Sequence, residues 1–129
     1  RTLKTNLDYG IFSVIQKAAE TALQLPDEYV KQVQERYRQR RDFLIKGLGQ
    51  LGWDIPPSKA TMYLWIPCSV GMTSTDFALS VLQKTGVVVT PGNAFGEGGE
   101  GYVRVSLIAD IPRLGEALQR LEDAGIRYQ

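Results

Sequence analysis

The sequence predicts a small α+β layer, about three strands with helices on one face, and three observations carry that expectation. Apolar residues recur at steps of three and four over residues 11–24 and again over 26–51, the periodicity of a buried helix face. Beyond Trp53 the pattern changes to short runs rich in β-branched and aromatic residues, at 61–66, 87–90 and 102–107, which suit pleated strands. Two further helical stretches flank the later strands, giving the order helix, helix, strand, helix, strand, strand, helix, an arrangement that favours layering.

Residues 1–10 lack helical periodicity and end in Gly10, so they read as an extended arm leading into a helix. That helix carries Ile11, Val14, Ile15, Ala18, Ala22 and Leu25 on one face. Pro26 in a first-turn position, followed by Asp27 and Glu28 at the positive end of the helix dipole, opens a second helix that Gly52 stops. Its stripe is Val30, Val33, Tyr37, Leu44, Leu48 and Leu51. Roughly 26 residues at 1.5 Å per residue make about 39 Å, longer than a small domain needs, so the helix is expected to bridge to something larger. The helix at 74–85 starts in a capping-box type of sequence, Thr73-Ser74-Thr75-Asp76, and ends at Gly86. Pro112 opens the last helix, with Leu114, Leu118 and Leu121 on one side before Gly125.

The chain has 129 residues, 43% of them hydrophobic and 22% charged, enough for a real core. No apolar run approaches the roughly 18 residues of a membrane span, and the N-terminal residues are polar, so a soluble protein is expected. A formal net charge of +1 gives no bulk attraction to nucleic acid or anionic membrane. Cys68 is the only cysteine, which precludes an internal disulfide and favours a reducing cytosol. There is no histidine, so neither a Ser-His-Asp or Cys-His system nor the common His-containing zinc site can be built from this chain alone. The basic run Arg36, Arg38, Arg40, Arg41 is interrupted by Asp42 and preceded by Glu35, and Lys31/Glu35 and Arg38/Asp42 stand at i, i+4 spacing, so it reads as a solvated helix face. Trp53, Tyr63 and Trp65 belong to no recognisable nucleic-acid module and read as core and pocket lining.

Chemistry concentrates at residues 91–107. The loop PGNAFGEGGEG holds five glycines in eleven positions, which permits close backbone approach or positive φ. Gly96, Gly98 and Gly101 satisfy G-x-G-x-x-G, but the dinucleotide fingerprint needs a helix next, and here a strand follows. Glu97 and Glu100 would also repel phosphate. In that strand, period-two alternation puts Val103, Val105 and Leu107 on one face and Tyr102, Arg104 and Ser106 on the other. A planar guanidinium on a rigid strand suits bidentate capture of a carboxylate. Pattern alone leaves a solvated or structurally paired arginine open as well.

The run VVVTPGNAFGEGGEGYVRVSL at 87–107 resembles the C-terminal signature of class I/II aminotransferases of fold type I, P-G-x-x-F-G-x-x-G, a short gap, then R-x-S. Pro91, Gly92, Phe95, Gly96, Gly99, Arg104 and Ser106 match it. Residues 59–65 (KATMYLW) are similar to the strand lining the substrate side of such enzymes, and residues 4–12 (KTNLDYGIF) to the segment following the cofactor-binding core. The resemblance covers essentially the whole chain, in family order, and is nearest to the LL-diaminopimelate and aspartate aminotransferase subgroup.

The resemblance implies the C-terminal small domain of a pyridoxal-phosphate-dependent enzyme, about three mainly antiparallel strands with helices on one face, preceded by the long bridging helix at its start. Residues 1–25 would then be an arm and helix on the side of the large cofactor domain, and 26–129 the small domain. It implies amino transfer between an amino acid and a 2-oxo acid in a cytoplasmic homodimer, with Arg104 gripping the α-carboxylate. It also makes Tyr9 a candidate contact to the partner's site, while a packing tyrosine at a helix start is an equal reading. The family's Schiff-base lysine sits in a serine-rich S-x-S-K type motif that does not occur here, so this chain alone is expected to supply no cofactor-binding residue and no activity. A β-eliminating carbon–sulfur lyase of the same fold shares the C-terminal arginine, and a stand-alone small-carboxylate-binding module is the rival from another class.

Overall fold

The computed structural model describes residues 10–128 and divides the chain into two compact units, Arg1–Gln34 and Glu35–Gln129. In the first unit, helix α1 (Ser13–Leu23) starts after Phe12 without a side-chain cap and is braced by surface interactions, among them a Lys17–Glu20 ion pair at 2.6 Å. None of its residues is buried, and Ile11, Phe12, Val14 and Ile15 are more than half exposed. The helix is where the periodicity puts it, yet its apolar face is uncovered. Tyr9 lies outside the described residues.

Helix α2 (Asp27–Gln50) begins in the first unit and ends in the second, with Asp27 and Glu28 in its first turn as expected. At 24 residues it is about 36 Å long. Its buried residues are Leu44 and Leu48. Gly52, at φ +99°, reverses the chain, and the Trp53 amide donates to Leu48 O at 3.1 Å. A Cβ there would sit 2.8 Å from Tyr128 O, so this turn requires glycine.

The second unit is a three-stranded antiparallel sheet of β1 (Tyr63–Pro67), β2 (Thr90–Pro91) and β3 (Tyr102–Ser106) in the order β1-β3-β2. Leu64 pairs with Val105 and Ile66 with Val103 across β1 and β3. These four point to the face that packs into the core with Leu44, Leu48, Phe77, Val81 and Leu114. Helix α3 (Ser74–Thr85) is capped by Thr73, whose hydroxyl accepts from Asp76 N at 3.1 Å, and ends at Gly86 with φ +70°. Helix α4 (Ile111–Asp123) is capped by Asp110, which accepts from Arg113 N at 3.1 Å, with Pro112 in its first turn. α2 and α4 approach closely at Gly47, where an added Cβ would run into Leu118.

Two strands start later than the sequence expectation by more than one residue. Only Thr90 and Pro91 of the 87–90 run and its neighbour pair with β3. The amide of Val87 is taken by Thr85 Oγ1 at 3.1 Å, and Val88 is 78% exposed, so the β-branched run leaves α3 as an unpaired lead-in to an edge strand. The first strand starts at Tyr63 rather than 61, because Thr61 at φ +75° bends the chain. No helix among the described residues is long and apolar enough to cross a membrane.

Candidate substrate-carboxylate site

The alternation of β3 carries through to its two faces: Val103 is 1% exposed and Leu107 fully buried, while Arg104 stands half-buried on the opposite face. Across the sheet Arg104 is in register with Trp65 on one side and Thr90 on the other. Tyr63, on the same face of β1, lies under the guanidinium with Cζ 4.1 Å from the ring centroid. The Phe95 ring makes a second such contact, with its centroid 4.4 Å from Cζ. Among the described residues, no carboxylate forms an ion pair with Arg104. Trp65 meets Phe95 edge-on at 5.9 Å and stacks on Tyr102 at 5.8 Å, so the sheet face beside the arginine is an aromatic ledge.

Phe95 reaches that position through the glycine-rich loop. Pro91 leads into a 3₁₀ turn (Gly92–Phe95) that Gly96 ends at φ +115°, and a second turn (Glu97–Gly99) follows. Gly92 and Gly99 are buried against each other: a Cβ on either would run into the other's carbonyl oxygen. Gly92 and Gly99 therefore mark a close backbone crossing that admits no side chain. Asn93 Nδ2 donates to Thr75 Oγ1 at 3.1 Å.

The loop is tied down by a residue the sequence reading passed over except as part of a helix start. Ser74 is completely buried; its hydroxyl donates to Gly99 O at 3.3 Å and accepts from Tyr102 N at 3.2 Å. Glu100 adds a second tie, its Oε1 accepting from Ser74 N at 2.7 Å and from Gly101 N at 3.2 Å. The backbone N–H of Ser74 first, helped by that of Gly101, holds the Glu100 carboxyl below its ordinary pKa against the opposing effect of desolvation. A hydroxyl aimed backwards from the first turn of a helix leaves no periodic signal, so only tertiary contacts identify Ser74.

Other candidates fall away from this face. Cys68 is buried, and burial pushes its thiol pKa up, which makes it a poor nucleophile. Lys17, Lys31, Lys46, Lys59 and Lys84 are all exposed, as expected of surface lysines, and none is on β1 or β3; Lys4 lies outside the described residues. The basic run of α2 is only partly the solvated face expected. Arg36 and Arg38 are exposed, but Arg40 Nη1 donates to Leu107 O at 3.0 Å and Ile108 O at 2.9 Å, and Arg41 Nη1 to Ser58 O at 2.7 Å. The ion pairs also differ from the i, i+4 set: Glu35 takes Arg38, and Asp42 takes Arg41. Long cationic side chains reach backbone carbonyls of distant segments that helical spacing does not reveal. Trp53 is a core residue, 3% exposed, with Nε1 donating to Pro67 O at 2.9 Å.

An arginine on a small antiparallel sheet with no acidic partner among the described residues, behind a P-G-x-x-F-G-x-x-G loop, is the arrangement expected of the C-terminal domain of an aminotransferase. The family model for aminotransferase class I and II matches residues 4–121, and the chain belongs to that family. It is 50% identical over 126 residues to LL-diaminopimelate aminotransferase 2 of Nostoc sp., covering 98% of this chain and 32% of that protein. LL-diaminopimelate aminotransferase of Halothermothrix orenii is 46% identical over 127 residues, covering 98% and 33%. Among solved structures, substrate-bound BacF from Bacillus subtilis superposes with a TM-score of 0.91 at 29% identity, covering 98% of this chain and 33% of that one. An aminotransferase from Staphylococcus aureus gives 0.89 at 30% identity, covering 99% and 34%. The chain thus spans about a third of the length of the relatives it matches.

Members of this family in general use pyridoxal phosphate. Among the described residues the lysines are exposed, none is on β1 or β3, and within the glycine-rich loop Gly92 and Gly99 are closed against each other.

Proposed function

We propose that this chain is the C-terminal, substrate-carboxylate-binding part of a longer aminotransferase that moves an amino group between an amino acid and a 2-oxo acid. The observation that carries the reading is Arg104, a cation in contact with two aromatic rings and with no acidic partner among the described residues. Its in-plane N–H groups suit a bidentate pair with the α-carboxylate, which fixes the rest of the substrate relative to the reacting Cα. Arg104 therefore binds and orients; it neither donates nor takes the proton. Pyridoxal phosphate supplies the electron sink when bound, on residues of the longer polypeptide outside this chain.

The same reading assigns residues 1–25 to the large-domain side and 26–129 to the small domain, with α2 as the bridge. The uncovered apolar face of α1 supports it. A cytoplasmic homodimer, with Tyr9 approaching the partner's site, completes the proposal. The relatives named for LL-diaminopimelate make that the first amino acid to assay. The test is the full-length protein supplied with pyridoxal phosphate, LL-diaminopimelate or aspartate, and 2-oxoglutarate. Stoichiometric formation of glutamate is the expected result; cystathionine cleavage without amino transfer would overturn it in favour of a carbon–sulfur lyase.

A further inference from the structure

We propose that Phe95 and Tyr63 are positioning residues that clamp the Arg104 guanidinium in one plane, so that its N–H edge meets a flat carboxylate already aligned. The inference rests on the reading of Arg104 as the carboxylate-binding residue and adds how its orientation is held.

An arginine side chain is long and carries about 2 kcal/mol of rotamer entropy, so some feature must fix its plane if capture is to be geometrically selective. In most binding sites a carboxylate does this, at the cost of occupying the same N–H groups the ligand needs. Here Cζ lies 4.1 Å from the Tyr63 centroid and 4.4 Å from that of Phe95, well inside the roughly 6 Å reach of a cation–π contact. Two rings in contact with the guanidinium restrain its plane, and among the described residues no carboxylate takes up its N–H groups. The clamp restrains the cation without neutralising it.

Both jaws are themselves supported. Tyr63 is on β1, fixed by its register with Ser106. Phe95 is the last residue of the 3₁₀ turn whose path is set by the Gly92–Gly99 crossing and the positive φ of Gly96, and its ring rests against Trp65. This accounts for the phenylalanine inside the glycine-rich signature: the loop is the mount, and Phe95 is what it mounts. Phe95 is 52% exposed, so it contributes little to the core, and its place over the arginine is better explained by binding than by folding.

The experiment uses the full-length, cofactor-loaded enzyme with Phe95→Leu and Tyr63→Leu, which keep apolar bulk and remove the ring face. Each is expected to raise KM for amino acids and 2-oxo acids alike by roughly threefold to thirtyfold, the range of a cation–π contact, with a smaller change in kcat. Phe95→Tyr and Tyr63→Phe should restore KM. In an Arg104→Ala background, Phe95→Leu should add no further loss, because the clamp then has nothing to hold. An equal rise in KM with and without Arg104 would make Phe95 a mere pocket wall and overturn the proposal. Unchanged KM in both leucine variants, with Arg104→Ala still impaired, would overturn the clamp and leave the carboxylate reading standing. An unimpaired Arg104→Ala enzyme would remove both. Phe95 is exposed enough that its variant should fold; cofactor absorbance and melting temperature check this, and Tyr63→Leu gives the independent jaw.

Discussion

The most consequential side chain is Arg104, and its worth depends on shape as much as on charge. Arg104→Lys keeps the cation but loses the fork and the flat surface that Tyr63 and Phe95 grip. In the full-length enzyme it should lower kcat/KM by about two to three orders of magnitude, on the order of 2 to 4 kcal/mol, for every amino acid alike. Steady-state kinetics with several donors checks this, and a lysine variant as active as the parent would return Arg104 to a surface role. Ser74 is the structural counterpart. Replacing it by alanine leaves Gly99 O and Tyr102 N without their buried partner, which should cost about 1 to 3 kcal/mol in denaturant unfolding. Ser74→Ala with unaltered stability would mean that water replaces the hydroxyl.

At the scale of elements, the glycine-rich loop and the start of α3 form one hydrogen-bonded unit through Glu100. Its carboxyl pKa is lowered in the folded state, first by the Ser74 N–H and then by the Gly101 N–H. A depressed carboxyl contributes stability that is fully present above its ordinary unfolded value and is lost as pH falls through the lower folded value. The melting-temperature difference between the parent and Glu100→Gln should therefore be largest near neutral pH and shrink on acidification below the carboxylate range. A difference independent of pH would assign the effect to hydrogen-bond geometry rather than charge. The amino-acid pattern exposed the loop, through its glycines, but not this tie, since Glu100 and Ser74 are far apart in sequence and neither breaks a local rule.

For the whole molecule, the two units differ in what holds them. α1 buries none of its residues, and a helix of 11 residues is marginal in water without tertiary contacts. In the isolated chain the amides of Ser13–Leu23 should exchange early and those of Leu64, Ile66 and Val103 last, read by hydrogen exchange with mass spectrometry. Protection of α1 equal to that of the sheet would show a packing partner and weaken the assignment of residues 1–25 to the large domain. The helices, the strand alternation that separates Val103 from Arg104, the failure of the dinucleotide fingerprint and the family motif were legible in the amino-acid order, because each depends on residues that are near neighbours along the chain. Long-range packing was needed to make β3 central, to leave residues 87–89 unpaired, to turn Arg40 and Arg41 inward to carbonyls, and to bring Tyr63 and Phe95 both onto Arg104. Those outcomes depend on which distant surfaces pack together, a matter of shape and competing hydrogen bonds that no local periodicity encodes.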